Sequence, residues 1–147
     1  MNTTSLAPLA LAFAEALNTK NVDLFDTFVA PDYVNHNPFV APGLTGVKAF
    51  FTGWLAAFPD THVVVEDSLT SGDTLVGRFT YTATHTGPFL GIAATGNRII
   101  MRSIDIWRVR EGKFIEHWDE LNLLEVFQQL GVIPPFAPYS DFDKDKK

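Results

Sequence analysis

The chain contains no cysteine. Disulfides, a thiolate nucleophile and cysteine-ligated zinc are therefore excluded. Basic residues are scarce: 11 Lys and Arg stand against 17 Asp and Glu, a formal net charge of -6. Nucleic acid or an anionic membrane as partner would call for the opposite balance. Even Lys144, Lys146 and Lys147 alternate with Asp143 and Asp145 and make no basic patch. No apolar run is long enough to span a bilayer. Leu6 to Leu17 is apolar, but Pro8 and Glu15 interrupt it and no Lys or Arg precedes it. A secretory leader is not expected on those grounds, and the cytoplasm is the expected compartment.

Other signatures are missing too. No two histidines show His-x-x-x-His spacing, so no metal is expected, although Asp105 and His117 with His36 or His85 could supply ligands. No serine sits in a nucleophile elbow, and no glycine-rich run opens a helix after a strand, so no nucleotide phosphate is expected either. What is abundant is apolar: 46% of 147 residues, with 13 Phe and 3 Trp. That is one ordinary domain able to bury roughly 68–70% of its unfolded surface.

The periodicity changes once along the chain. Leu6, Leu9, Ala10, Phe13, Ala14 and Leu17 recur at helical spacing. Asn21 is a plausible cap for a second helix to Val29, carrying Leu24, Phe25 and Phe28. Tyr33 to Pro38 reads as a short extended piece, Gly43 to Gly46 as loop, and Val47 to Phe58 as a third helix with Phe50, Phe51, Trp54 and Phe58 on its apolar stripe. From Thr61 the period falls to two: strands His62–Thr70 and Thr74–Thr84, a loop Gly87–Gly96, then strands Asn97–Val109 and Lys113–Leu121. A last helix runs from Asn122 to Leu130 and stops at Gly131. The expected domain is 1–133, with 134–147 a Pro-rich, then charged, tail. Helices first, then an antiparallel meander, imply α+β, with helices packed on a strongly curved antiparallel sheet around a pocket.

Chemistry concentrates in Arg102 to Asp119. Val109 to Lys113 reads as a three-residue hairpin loop closed by Gly112 in the left-handed conformation. That turn would pair Asp105 with His117 and Ser103 with Asp119. By parity Asp105, His117 and Asp119 share a face with Met101, Trp107 and Ile115. Ionisable groups on an apolar face are costly unless paired or used. A pocket carboxylate has its pKa raised by desolvation and lowered by hydrogen-bond donors, which suits a general acid or base near neutral pH.

His85 falls by parity on the Phe79 and Tyr81 face, just before Gly87, Phe89 and Gly91, and His36 lies between Asn35 and Asn37. Each has a structural reading as well: a rim or core His85, a surface-loop His36, a strand-end His117. His62 is expected to be solvated. Phe51 and Trp54, Phe79, Tyr81 and Phe89, and Met101 and Trp107 are the expected substrate-binding lining.

Tyr-x-x-His-x-Pro (33–38), Thr-His-x-Gly-x-Phe-x-Gly-Ile (84–92), Asp-Ile-Trp-Arg (105–108) and Glu-His-Trp-Asp (116–119) together resemble the SnoaL-like polyketide cyclase family, the ester cyclase branch of the NTF2-like superfamily. The resemblance runs from about Leu6 to Gly131. It implies a cone-like α+β barrel, dimeric or higher, and ring closure by intramolecular aldol condensation without cofactor or metal. It implies that Asp119 is the catalytic acid/base. At the family's cavity imidazole position this chain carries Asp105. The Asp-Arg-Asp set of limonene-epoxide hydrolase-type relatives does not carry over, because Arg102 is three residues before Asp105 and on the opposite face.

The expected function is a cofactor-free acid/base enzyme acting on a small apolar carbonyl compound. Asp119 would remove a proton, Asp105 or His117 would orient it, and His36 or His85 would donate to the enolate oxygen. The alternatives are an isomerase or hydrolase on the same scaffold, a non-catalytic binder of a small hydrophobic ligand, or a structural dimer.

Overall fold

A computed structural model describes residues 4–136. Helix α1 (Ala7–Asn18) starts with Pro8 in its first turn, where a missing N–H costs nothing. It buries Ala10, Phe13, Ala14 and Leu17, the predicted stripe. The Phe13 ring lies 5.4–5.9 Å from the rings of Phe25, Phe51, Phe79 and Trp107. Such a cluster makes Phe13→Ala cost about 3–5 kcal/mol. At the end of α1, the Asn18 side chain donates to the Val63 carbonyl (2.9 Å) and accepts from the Val63 N–H (2.7 Å). This amide acts like a strand residue and docks the helix on the sheet edge.

A 3₁₀ turn (Val22–Leu24) leads into α2 (Phe25–Phe28) and then strand β1 (Val29–Asn35). Helix α3 (Gly43–Ala57) follows, then β2 (His62–Ser71), β3 (Thr74–Thr84), β4 (Arg98–Arg110), β5 (Lys113–Leu121) and α4 (Leu123–Gln129). The sheet order is β1-β5-β4-β3-β2. It is curved and does not close. The α+β expectation holds, with four helices on a five-stranded sheet among the described residues.

Three local expectations are corrected. The sheet is mixed, not wholly antiparallel: β1 runs parallel to β5. The predicted second helix therefore ends at Phe28, and the extended piece starts at Val29. Pro31 reads as a breaker in sequence, but β1 is an edge strand, where a missing N–H is tolerated. Helix α3 begins at Gly43, one turn before the predicted Val47. Its glycines belong to the helix because the chain at Ala41 crosses it closely: a Cβ on Gly46 would lie 1.8 Å from the Ala41 carbonyl oxygen.

The third correction is the β4–β5 register. The turn is the two-residue Glu111-Gly112, both with positive φ (52° and 74°), the primed geometry that follows sheet twist. An irregularity between Arg108 and Val109 follows. Asp105 consequently faces Asp119, and Trp107 faces His117. The shift is two residues at the site, so the face is kept. The irregularity puts Phe114, not Ile115, on the inner face beside Trp107. The predicted tail from residue 137 onward lies outside the described residues.

Candidate active site

The curved sheet and α1, α3 and α4 enclose a cavity of about 880 Å3, counted out to the solvent at its mouth. Of the expected lining, Phe51, Trp54, Tyr81, Phe89, Met101 and Trp107 border it. Phe79 does not; it is fully buried beneath, packed on Phe13 and Trp107. Phe39 and Leu90 border the cavity yet are each 46% exposed, which places them at the mouth.

Strand alternation brings Asp105, His117 and Asp119 to the wall. Asp105 and His117 are 3% and 6% exposed. Nε2 of His117 is 2.7 Å from Oδ1 of Asp105, and the Ser103 hydroxyl donates to Asp105 Oδ2 at 2.5 Å. The His117 ring stacks on Trp107 (5.1 Å) and lies 6.2 Å from Tyr33. Asp119 is half-buried. Burial pushes its pKa above the ordinary 3.8; the Asn37 amide and the nearby His117 oppose the rise, and Asp105 and Glu120 add to it.

The two asparagines flanking His36 complete the site. Nδ2 of Asn37 donates to Asp119 Oδ2 at 2.8 Å, and Oδ1 of Asn35 meets Nδ1 of His117 at 3.1 Å. Each amide is oriented by its own Asx turn: the Asn37 N–H donates to Asn35 Oδ1 (2.9 Å), and the Phe39 N–H to Asn37 Oδ1 (2.9 Å). Asn35 and Asn37 were visible in sequence as alternate residues of a short extended piece, but only the pairing of β1 with β5 shows that they face inward.

Tyr33 was also missed. Its oxygen accepts from Trp107 Nε1 at 3.3 Å, and it borders the cavity. Burial, with Asp105 and Asp119 adding, raises its pKa far above the ordinary range. Tyr81 is raised well above 10 by burial, then by Asp105. Both phenols therefore stay protonated and can donate.

The other two histidines lie elsewhere. His36 stacks on Trp118 (4.9 Å) and lies 3.9 Å from Glu116, outside the cavity lining. His85 is fully buried but does not border the cavity. Its Nδ1 accepts from the Thr95 N–H (3.2 Å) and meets the Thr95 hydroxyl (3.0 Å), while its ring stacks on Phe58. The role expected of these two, donation to an enolate oxygen, does not fit these positions. Period two reads which face of a strand a residue takes, not where that face is capped by a loop.

One ligating atom each from Asp105, His117 and Asp119 lies within 4.8 Å of the others. Each of these side chains has a hydrogen-bond partner here. Among the described residues, the cavity lining contains neither Lys nor Arg.

The curved sheet packed by helices agrees with known proteins. The profile of the SnoaL-like polyketide cyclases matches residues 7–130. The chain belongs to the SnoaL-like polyketide cyclase family. Aklanonic acid methyl ester cyclase DnrD of Streptomyces peucetius is 29% identical over 132 residues, 84% of this chain and 88% of that one. Nogalonic acid methyl ester cyclase of Streptomyces nogalater is 27% identical over 120 residues, 79% of this chain and 90% of that one. Among solved structures, TsrD from Streptomyces laurentii has a TM-score of 0.83 and 33% identity, covering 90% of this chain and 99% of its own. AclR from Streptomyces galilaeus, provisionally described as a hydroxylase, has a TM-score of 0.79 and 29% identity, covering 88% and 97%. The SnoaL-like fold therefore does not by itself select one reaction. Among the described residues, no helix is long and apolar enough to cross a membrane.

Proposed function

We propose that this SnoaL-like protein closes a ring in a neutral polyketide ester by intramolecular aldol condensation. The observation that carries the reading is Asp119: a half-buried carboxylate of raised pKa, held by one amide, at the wall of a largely aromatic cavity. Asp119 takes a proton from the carbon beside a carbonyl, leaving an enolate. The Tyr33 hydroxyl, kept protonated, donates to the enolate oxygen. The enolate carbon then bonds to a second carbonyl carbon, whose oxygen becomes an alkoxide and recovers the proton from Asp119. The step is balanced: one C–C bond forms, and the proton moves from carbon to oxygen.

The substrate class follows from charge. With no Lys or Arg among the described residues of the lining, a free carboxylate would be desolvated there without a partner. An ester has no such cost, which agrees with relatives named for methyl esters. The decisive experiment incubates the protein with aklanonic and nogalonic acid methyl esters. A product of unchanged mass, with one ketone carbonyl replaced by a hydroxyl and one new C–C bond, supports the proposal. An ester that binds, stabilises the fold and returns unchanged would make the protein a ligand-binding module. A homodimer or higher assembly is part of the proposal, checked by light scattering.

A further inference from the structure

We propose that Asn35 is a positioning residue that holds hydrogen on Nδ1 of His117, so that the proton between His117 and Asp105 is a second one and the pair is neutral overall. The argument is one of hydrogen-bond polarity. The Asn37 backbone N–H donates to Oδ1 of Asn35, so that atom is the amide oxygen and an acceptor. The nitrogen facing it, Nδ1 of His117, must therefore carry hydrogen. Nε2 then faces Oδ1 of Asp105 at 2.7 Å. Two limiting forms satisfy that contact: imidazolium with carboxylate, or imidazole with carboxylic acid. Both hold one proton in the contact, shared by a coupled pair.

The surroundings agree. The Ser103 hydroxyl donates to the other oxygen of Asp105 and holds that side chain in place. The His117 ring lies between the ring of Trp107 and that of Tyr33, which fix its plane. The titratable groups facing His117 are Asp105 on β4, Asp119 on β5 and Tyr33 on β1. Glu116 lies on the opposite side, toward His36.

The consequence rests on the proposed reaction. With its proton in place the His117–Asp105 pair is neutral overall and cannot act as the base. Asp119 is then the single free carboxylate in the cavity, and a second negative charge does not accumulate beside it. Asp105 is in this reading a partner of His117 and not a second base.

The tautomer measurement needs no substrate. The chain has four histidines; in protein labelled with 15N-histidine, His117 is assigned by its loss in His117→Gln. Long-range proton–nitrogen spectra at neutral pH are expected to show Nδ1 of His117 protonated. A bare Nδ1 in the wild type overturns the proposal. Asn35→Leu removes the acceptor, and His117 is expected to switch to the form with hydrogen on Nε2 only. Asn35→Asp keeps an acceptor and the Asx turn, and should keep hydrogen on Nδ1. An unchanged tautomer in a folded Asn35→Leu overturns the role of Asn35; should that variant not fold, the wild-type and Asn35→Asp spectra decide. Loss of the Nδ1 proton leaves a net negative pair beside Asp119, so the acid limb of kcat/KM in Asn35→Leu is expected to move to higher pH. Absence of ester turnover would sink the cyclase reading and leave the tautomer measurement standing.

Discussion

The side-chain amide of Asn37 donates to Asp119 Oδ2 across 2.8 Å, from a position 82 residues earlier in the chain. Phe39 orients that amide through its backbone N–H, so a backbone turn in one strand's exit tunes a carboxylate on the neighbouring strand. The donor opposes the burial that raises the Asp119 pKa.

Removing the donor should show in the pH profile. In Asn37→Ala the remaining influences push the Asp119 pKa further up. A base must be ionised to act, so the acid limb of kcat/KM moves to higher pH, and its midpoint measures the shift. An unmoved limb means that Asp119 is not the group that titrates.

Asp119→Asn separates function from stability. Turnover should fall by about 10²–10⁴-fold, the usual worth of a positioned acid or base. Stability should move the other way. The folded-state pKa lies above the ordinary 3.8, so the folded protein holds the proton more tightly than the unfolded chain does. That contribution is full below about 3.8 and is lost as pH rises through the folded value. Asparagine avoids the loss. Urea unfolding should show the variant gaining on the wild type from about pH 4 to pH 7. A wild-type advantage that grows over that range contradicts the raised pKa.

His85 is expected to act through the loop it anchors. The loop carries Phe89 and Leu90 into the cavity, with Leu90 at a positive φ of 48° beside Gly91. His85→Leu leaves the Thr95 N–H without its acceptor. The expected outcome is a raised KM with a smaller change in kcat, together with lost hydrogen-exchange protection at Thr95. Equal loss in kcat and kcat/KM would place His85 in the chemistry instead.

The β4–β5 turn offers a stabilising change. Glu111 occupies a left-handed position (φ 52°) that asparagine adopts more readily. Glu111→Asn should stabilise by roughly 0.5–1 kcal/mol in denaturant unfolding, with activity unchanged.

What could be read in the sequence and what could not divides along a physical line. Asp105, His117 and Asp119 were legible as one face because side-chain alternation is a property of the strand itself and survives a two-residue register error. Ile115 was misplaced because an irregularity interrupts that alternation, and a bulge has no reliable local signature. Gly43 and Gly46 read as loop because their freedom is visible, while the close approach of Ala41 that uses Gly46 is not.

The sequence by itself determined the class: apolar helical stripes followed by alternating strands, ionisable groups on an apolar face, and spaced motifs matching the SnoaL-like family. Tertiary structure decided which polar groups meet. The parallel pairing of β1 with β5 turns Asn35 and Asn37 inward and His36 outward. The packing of the 86–96 loop seals His85 away from the cavity. Face parity is encoded residue by residue. Hydrogen-bond partners far apart in the chain are chosen only when strands pair and loops close over them.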